Sequence, residues 1–438
     1  MNRKFNLFWM LIIAAILLTG CSVRTIDQMY CLPKRSEDYL NLQSAIDDAM
    51  VDLEYYAPIS GTNQQPVQMV DLDGNGDMEY LVFAKGAGEK PLKILVFSCS
   101  NEKYFLTATI EGTGTAFDQV QYIRMGEGPG YDMVVGRMVS DQVVRPLSVY
   151  SMVQGNLEQI LTTSYSRFLP TDLDANGREE ILVLRPGADA AENGIAELYG
   201  IADKAVVRSA EVTMSKPVEN IKRIMASRLN DGIPAVYVAS DVNGNAIITD
   251  VYALLNSVFT NVSLSNESGT SVQTLRNYYV YADDVDGDGA LELPDLIPSQ
   301  TQANNTQENQ YLIRWYALNS DGSEVNKLYS YHNFMGGWYI KLDNEIAPNI
   351  SVSQLGNSYE FSYVDGKGQA TRLMHVYVFT GQQREEQAIA DNRFVLYRNE
   401  STVFAAHLEV ASASFNITQE SLINSFHLIV EDWKVGNT

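Results

Sequence analysis

Short apolar runs separated by turn residues dominate the chain between residues 62 and 334. The first stretch has four of them in succession, at 67–70 (VQMV), 78–84 (MEYLVFA), 92–98 (LKILVFS) and 104–110 (YFLTATI). The runs have the length of strands and are rich in β-branched and aromatic residues, and Gly, Asn and Asp lie between them. The pattern therefore predicts β-strands joined by tight turns.

The strand pattern repeats along the chain. Five units are recognisable, at about residues 62–110, 111–160, 161–216, 217–270 and 271–334. Four strands in a repeat of about 50 residues are typical of a propeller blade. We therefore predict a mainly β protein in which residues 61–334 form a β-propeller of about five to seven four-stranded blades.

A short helix is predicted before the repeats. Apolar residues between Ser36 and Tyr56 recur mostly every three or four positions, which indicates an amphipathic helix. We assign this N-terminal helix to residues 36–60 and expect it to pack on the propeller.

The pattern changes near residue 336. Further apolar runs predict strands, and the stretch from Thr418 to Trp433 predicts a helix that begins at Thr418. We assign residues 335–438 to a C-terminal α+β module. The alternative is that this segment lends strands that close the propeller.

The N-terminus has the pattern of a secretory signal. A basic start at residues 2–4 precedes an apolar stretch from Phe5 to Leu18, which is short for a spanning helix. The following LTGC resembles the bacterial lipobox, in which Cys21 is lipidated and becomes the mature N-terminus. We predict a lipoprotein signal peptide at 1–20, a tether at 21–35 and a body held by lipid on the extracytoplasmic face of the cell membrane. An uncleaved anchor with an incidental cysteine is the alternative.

Charge restricts the partners. The chain has 31 Lys and Arg against 54 Asp and Glu, a formal net charge of −23. Such a surface repels phosphates, which argues against a nucleic-acid partner. The same charge favours the binding of cations.

The two remaining cysteines leave a disulfide open. Cys31 lies in the predicted tether and Cys99 in the first repeat. They could pair outside the cell, but nothing in the sequence brings them together. Since no histidine is near either one, a metal–thiolate site is not predicted.

Three acidic loops follow the period of the repeat. They begin at Asp71, Asp172 and Asp284, so they recur after 101 and 112 residues, about two repeat lengths each. We call them loop 1 (71–79), loop 2 (172–180) and loop 3 (284–292). Each has Asp at positions 1 and 3, Asn or Asp at 5, Gly at 6 and Glu at 9, and each runs into an apolar strand.

The composition of the loops predicts calcium. Ca²⁺ takes about six to eight oxygen ligands in a tolerant geometry, whereas Mg²⁺ prefers water-rich octahedral sites. Side chains at positions 1, 3, 5 and 9 and the carbonyl of position 7 can converge, because the glycine permits a sharp turn. We predict up to three structural Ca²⁺ sites, with these ligands: Asp71, Asp73, Asn75, Asp77 and Glu79; Asp172, Asp174, Asn176, Arg178 and Glu180; Asp284, Asp286, Asp288, Ala290 and Glu292.

Other interpretations of the loops exist. Asp, Asn and Gly also form ordinary Asx turns without a metal. An EF-hand or dockerin would need a carboxylate at position 12, but two of the three residues there are Val82 and Val183, and the following residues predict strands. A degenerate copy at 241–245 lacks the glycine at position 6, and we interpret it as a turn.

The loops and strands together resemble a known family. The loop-then-strand units are similar to the FG-GAP/VCBS repeats of integrin-type propellers. The mature chain resembles Firmicute-type VCBS-repeat surface lipoproteins, whose biochemical role is generally uncharacterised. The resemblance covers about residues 40–335, and its most specific part is the acidic loop that enters an apolar strand. It implies a propeller stabilised by calcium, and three intact loops in five units leave the closure of the ring open.

No catalytic residues are predicted. None of the four histidines has a Cys, Asp or Glu at a recognised ligand or triad spacing, and the common nucleophile, zinc and phosphate-loop motifs do not occur. The stretch GEGPG at 126–130 is superficially similar to a phosphate loop, but it contains Pro129 and precedes a strand. It therefore predicts a hairpin turn.

A cluster of aromatic residues allows two interpretations. These residues could fill the space between blades or line a ligand surface: Tyr278, Tyr279, Tyr281, Trp315, Tyr316, Trp338 and Tyr339. We favour packing.

The sequence thus predicts a cell-envelope lipoprotein whose propeller is a binding or scaffold module for an extracellular protein or glycan. The alternative is an envelope enzyme that acts on polysaccharide in the propeller channel. The lack of a nucleophile–base pair favours the binding module.

Overall fold

The computed structural model describes residues 37–100, 103–139, 144–153, 155–188, 192–202, 205–277, 280–297 and 310–429. In these residues the protein is mainly β, with six antiparallel sheets and short helices. The predicted signal peptide at 1–20, Cys21 and the tether at 21–35 lie outside the described residues.

The first three sheets are successive antiparallel meanders. Sheet 1 contains β1 (Glu54–Tyr55), β2 (Val67–Val70), β3 (Glu79–Lys85), β4 (Leu92–Ser100) and β5 (Lys103–Gly112). Sheet 2 contains β6 (Ala116–Ile123), β7 (Asp132–Met138), β8 (Arg145–Val153) and β9 (Asn156–Tyr165). Sheet 3 contains β10 (Arg167–Thr171), β11 (Glu180–Arg185), β12 (Ile195–Ala202) and β13 (Ala205–Thr213). Strands β1 and β2 share one edge of β3.

Three more sheets follow. Sheet 4 contains β14 (Ile221–Arg228), β15 (Pro234–Val242), β16 (Ala246–Leu255) and β17 (Val258–Asn261). Sheet 5 contains β18 (Leu293–Ile297), β19 (Gln310–Leu318), β20 (Glu324–Asn333), β21 (Trp338–Leu342) and, from the end of the chain, β27 (Phe426–Leu428). Sheet 6 has the order β22 (Ile350–Leu355), β23 (Ser358–Val364), β24 (Ala370–Thr380), β26 (Thr402–Leu408) and β25 (Phe394–Arg398).

In the described part of the chain, three α-helices accompany the sheets. They are α1 (Glu37–Ala49), α2 (Arg384–Ile389) and α3 (Gln419–Ser425). Single turns of 3-10 helix occur at Val218–Asn220, Val272–Thr274 and Ala347–Asn349, and a longer one spans Val410–Phe415.

Neighbouring sheets pack face to face in the order of the chain. Separate apolar clusters join sheets 1 and 2, 2 and 3, 3 and 4, 4 and 5, and 5 and 6. Strand alternation sends successive side chains to opposite faces, so that Val183 faces sheet 2 and Leu182 faces sheet 4. Because both faces of an inner strand are buried, its sequence is a continuous run of apolar residues.

Helices cover the outer faces of the first and last sheets. Leu42 and Ile46 of α1 pack on Val82 and Phe97 of sheet 1, on the side away from sheet 2. Ala388 of α2 packs in the same manner on sheet 6. The described array therefore runs from α1 through six sheets to α2.

The predicted N-terminal helix at 36–60 is too long. The helix ends at Ala49, and Asp52 adopts a left-handed conformation (φ 62°) that interrupts a right-handed helix. Glu54 and Tyr55 then pair with β3. The helix therefore stops before Tyr56, although the helical spacing of apolar residues continues to that position, because the chain there pairs as a strand instead.

The C-terminal segment is divided between two sheets. Residues 350–408 form sheet 6, whereas β21 and β27 belong to sheet 5. The predicted helix from Thr418 does begin there, with a capping box between Thr418 and Ser421. Its predicted end at Trp433 is wrong, because residues from Phe426 pair with β21 instead of continuing the helix.

Candidate metal centres

The three acidic loops occupy matching places in sheets 1, 3 and 5. Loop 1 joins β2 to β3, loop 2 joins β10 to β11, and loop 3 enters β18 after a single bridge between Asp283 and Glu292. The second residue of each loop is a buried aliphatic side chain: Leu72, Leu173 and Val285. This apolar anchor leaves the flanking Asp side chains at the surface.

Backbone N–H groups orient the carboxylates within each loop. In loop 1, Asp71 accepts hydrogen bonds from the N–H of Gly74 at 2.7 Å and of Gly76 at 3.0 Å, and Asn75 Oδ1 accepts one from the N–H of Asp77 at 2.6 Å. The bonds from positions 6 and 7 recur in loops 2 and 3. The recurrence gives the three loops one common geometry.

The glutamate at position 9 closes each loop from the interior. Its Oε2 accepts the N–H of position 2 at 2.8 Å in loop 1 and at 2.9 Å in loops 2 and 3. Glu79 and Glu292 are buried. A carboxylate that comes from the interior strand thus meets the two surface carboxylates.

Three carboxylates come together in every loop. One oxygen from each of positions 1, 3 and 9 lies within 4.8 Å of the other two. The clusters are Asp71, Asp73 and Glu79; Asp172, Asp174 and Glu180; and Asp284, Asp286 and Glu292. The structure therefore assembles the predicted side chains at these positions, and positions 5 and 7 are hydrogen-bonded to each other beside them.

Burial and crowding disfavour the ionised glutamates. Burial and the neighbouring Asp carboxylates, opposed in part by the hydrogen bond from the N–H at position 2, raise the pKa of Glu180 and of Glu292 to about 7. The pKa of Glu79 is raised for the same reasons. A cation between the carboxylates would remove this repulsion.

The donor set fits a hard cation. Carboxylate and amide oxygens are the ligands that Ca²⁺ prefers. In loop 3, Glu292 Oε1 is buried and has no hydrogen-bond partner among the described residues. Such an atom is costly unless something compensates it, and a bound ion would do so. When bound, Ca²⁺ would be held by positions 1, 3 and 9 and would cross-link the loop.

Loop 3 has a basic residue beside it, contributed by another strand, that the sequence did not predict. Lys327 Nζ of β20 lies 2.5 Å from Asp288 Oδ2 and 3.5 Å from Asp286 Oδ2. Arg228 donates a hydrogen bond to the carbonyl of Asp288. Lys327 is 39 residues from Asp288, so no local pattern points to this contact.

Each loop also contacts a neighbouring sheet. The N–H of Tyr131 donates to the carbonyl of Asp71 at 3.1 Å, and Arg124 and Glu179 exchange hydrogen bonds of 2.7 and 2.8 Å. A Cβ on Gly130 would lie 2.2 Å from the Leu72 carbonyl oxygen, so this close approach requires glycine. The GEGPG turn, which joins β6 to β7 as predicted, is therefore packed against loop 1.

A cleft of about 560 Å³ opens beside these contacts. Its lining includes Asp73 of loop 1, Glu127 of the GEGPG turn and Arg178 of loop 2, together with Met152 and Ile201. The volume is within the range of small-ligand sites.

The alternative interpretations of the acidic segments have different outcomes. Strands β3, β11 and β18 follow the three loops directly, so the EF-hand interpretation is wrong. At 241–245 the chain makes a hairpin turn between β15 and β16, in which Asp241 accepts the N–H of Gly244 at 3.0 Å. This degenerate copy is the predicted turn.

The aromatic residues predicted to pack are mostly buried. Tyr281, Trp315, Tyr316 and Trp338 each have at most 1% of their surface exposed, which confirms packing and contradicts a ligand surface at these positions. Tyr278 and Tyr279 lie outside the described residues.

The fold does not test the predicted membrane attachment or the possible disulfide between Cys31 and Cys99. Cys99 has no disulfide partner among the described residues, and Cys31 lies outside them. Within the described part of the chain, no helix combines the length and apolar character needed to cross a membrane.

Comparisons with known proteins do not identify a family. No profile of a known family and no curated protein matches the chain. Solved structures with partial similarity include a Lactobacillus plantarum protein (10% identity, TM-score 0.27, 72% of this chain and 85% of the other). Another is Sqt1 from Chaetomium thermophilum (10% identity, TM-score 0.28, 71% of this chain and 84% of the other). These similarities are too weak to support an argument about fold or function.

Proposed function

We propose that the chain is a lipid-anchored protein of the cell envelope, in which a propeller-like array stabilised by up to three Ca²⁺ ions binds an extracellular protein or glycan. The observation that carries the proposal is the recurrence of one acidic loop geometry at sheets 1, 3 and 5. Each copy brings three carboxylates together beside a neighbouring sheet. An ion there would stabilise both the loop and the junction between sheets.

Propeller geometry is the arrangement that we infer for the array. Four-stranded meanders that pack face to face in chain order are the units of such folds. The acidic loop before an apolar strand is similar to FG-GAP/VCBS repeats. The helices on the outer faces of sheets 1 and 6 would lie where the ring begins and ends.

The edge of the array that carries the acidic loops is suited to a binding role. The cleft beside loop 1 combines carboxylates, a guanidinium group and aliphatic side chains, a mixture suited to a polar ligand such as a glycan or an extended peptide. The apolar runs are used in the cores between sheets.

Thermal unfolding tests the calcium proposal. Adding EDTA to the purified full chain should lower its melting temperature, and excess Ca²⁺ should restore it, because an ion that binds only the folded state stabilises that state by mass action. The triple variant with Asp71, Asp172 and Asp284 changed to Ala should melt at one temperature under both conditions.

The degenerate turn supplies the matched control. Asp241→Ala also removes an acidic turn residue, but it should leave the calcium response intact. A melting temperature of the unchanged chain that EDTA does not move would refute the calcium proposal. So would a triple variant that responds to calcium as the unchanged chain does.

The lipid anchor needs a separate experiment. Cells that express the full chain should incorporate radiolabelled palmitate into it, and Cys21→Ala should abolish the label and release the protein from the membrane fraction. Label that persists in Cys21→Ala would contradict lipidation at this residue. Cys99→Ala is the matched control and should remain labelled.

A further inference from the structure

The hairpin between β6 and β7 is bonded to two acidic loops at once. We call its residues 124–131, which contain the GEGPG turn, the connector. On one side, the N–H of Tyr131 donates a hydrogen bond to the carbonyl of Asp71 in loop 1 at 3.1 Å. On the other side, Arg124 donates its N–H to Glu179 Oε2 of loop 2 at 2.7 Å and accepts the N–H of Glu179 at 2.8 Å. The connector therefore joins loop 1 of sheet 1 to loop 2 of sheet 3.

The two ends of the connector are held to each other. The Arg124 guanidinium group lies over the Tyr131 ring, with Cζ 4.6 Å from the ring centroid, which is a cation–π contact. The buried carboxylate of Asp132 accepts the N–H of Met125 at 3.0 Å and that of Gly126 at 3.4 Å. A displacement at one end of the connector is therefore transmitted to the other end.

Loop 1 and the connector also pack closely against each other. A Cβ on Gly74 of loop 1 would lie 2.3 Å from Pro129 Cγ of the connector, so glycine is required there as it is at Gly130. Close-packed groups cannot shift independently. The position of the connector therefore depends on the position of loop 1.

The connector meets each loop at or beside a proposed calcium ligand. Asp71 occupies position 1 of loop 1, and Glu179 directly precedes Glu180 at position 9 of loop 2. Without an ion, the carboxylates gathered in each loop repel one another. An ion at loop 1 would hold Asp71 in place and, through the connector, would hold the backbone at Glu179. Part of the cost of ordering loop 2 would then be met before its own ion arrives.

Loop 3 has no such link to loop 2. The corresponding hairpin of sheet 4, residues 229–233, is bonded instead to the turn between β19 and β20. Asn230 donates its N–H to the carbonyl of Leu318 at 2.9 Å, and Asp231 Oδ2 accepts the N–H of Ser320 at 3.0 Å. Among the described residues, no hydrogen bond joins this hairpin to loop 2. Loop 3 is therefore an internal control for the effect of the connector.

We propose that loops 1 and 2 bind Ca²⁺ cooperatively through the connector, whereas loop 3 binds Ca²⁺ independently. This inference rests on the calcium sites of the proposed function and adds a regulation of those sites. Coupling between two sites is reciprocal, so each of the two ions strengthens the binding of the other by the same factor. We expect a factor of about fivefold or more, as is usual for coupled sites.

Calorimetric titration of the full chain with Ca²⁺ tests the coupling. Position 3 of the loops supplies matched variants, because Asp→Asn removes one charge and keeps an oxygen that can accept the N–H of position 5. Asp286→Asn weakens loop 3 and leaves loops 1 and 2, which should give a binding curve steeper than that of independent sites. Asp73→Asn leaves loops 2 and 3, and Asp174→Asn leaves loops 1 and 3. Neither of these two pairs should bind more steeply than independent sites do.

A second variant tests the connector as the route of the coupling. Added to Asp286→Asn, Glu179→Ala removes the acceptor of the Arg124 N–H and should reduce the steepness of the curve while two sites still fill. Glu158→Ala is the control, since it removes an exposed carboxylate of β9 in the same sheet as the connector. Circular dichroism establishes that each variant is folded.

The outcomes separate this inference from the calcium proposal itself. Two ions that bind independently in Asp286→Asn would overturn the coupling and leave the calcium sites standing. Steepness that is unchanged by Glu179→Ala would overturn the role of the connector. A folded unchanged chain that binds no Ca²⁺ would refute both proposals.

Discussion

At the scale of single residues, the three acidic loops differ in the charge that surrounds them. Loop 3 has Asp288 at position 5, where loops 1 and 2 have Asn75 and Asn176, although each of the three loops contains four carboxylates in all. Lys327 offsets the charge of Asp288, and the hydrogen bond between them raises the pKa of Lys327 and lowers the pKa of Asp288. An arriving cation must compete with this lysine, which makes loop 3 the weakest of the three proposed calcium sites.

Replacing the lysine should strengthen calcium binding at loop 3. In a chain whose other loops are disabled by Asp71→Ala and Asp172→Ala, we expect Lys327→Met to raise the Ca²⁺ affinity by about tenfold, or about 1.4 kcal/mol. The reason is the removal of a positive charge within a few Å of the ion. Isothermal titration calorimetry measures the change.

Lys93→Met is the control for this comparison. Lys93 also pairs with a carboxylate, that of Glu111, but it lies in sheet 1 and belongs to none of the acidic loops. It should leave the affinity of loop 3 unchanged. Calcium binding that is equal or weaker in Lys327→Met would show that the lysine does not compete with the ion.

At the scale of the element, α1 closes the apolar outer face of sheet 1. Ile46 has 4% of its surface exposed, and it packs in one cluster with Val82, Leu95 and Phe97. Within the array, sheets bury apolar residues against neighbouring sheets, whereas this end face of sheet 1 is covered by a helix of 13 residues. Helix α1 therefore contributes to stability by burying the apolar outer face of sheet 1.

Truncating the helix contact should destabilise the protein. We expect Ile46→Ala to lower the free energy of unfolding by about 2–5 kcal/mol, because it deletes buried methyl and methylene groups and leaves a cavity. Leu40→Ala on the same helix is the control, since 52% of Leu40 is exposed and the change should be small. Chemical denaturation with both variants measures the difference, and equal effects would contradict the packing of α1 as described.

At the scale of the whole molecule, acidic loops alternate with plain turns along the array. Sheets 1, 3 and 5 carry the loops, and the corresponding hairpin of sheet 2 is the GEGPG turn that packs against loop 1. In sheet 4, Ser227 and Arg228 donate hydrogen bonds to loop 3. The hairpins of sheets 2 and 4, which carry no acidic cluster, thus contact the loops of their neighbours, and the acidic motif recurs at about twice the repeat length.

Much of this organisation could be predicted from local patterns. Apolar runs between turn residues located the strands of the first five sheets, and the period of the acidic loops located clusters that the structure assembles. The sequence assigns residues 335–438 to a C-terminal α+β module because the pattern changes near residue 336 and ends in a predicted helix, whereas the structure divides this segment between sheets 5 and 6. The pairing of His375 with His407 across neighbouring strands has no local signal, because the two residues are 32 positions apart in the sequence.

The sequence by itself determined the elements whose information is local: strands, hairpin turns, the cap at Thr418 and the carboxylates within each nine-residue loop. Only the tertiary structure decided the contacts between distant residues, such as Lys327 with Asp288, His375 with His407 and the return of β27 to sheet 5. The physical reason is that hydrogen bonding and alternation act over a few neighbouring residues, whereas register and face-to-face packing are set by burial among elements far apart in the chain.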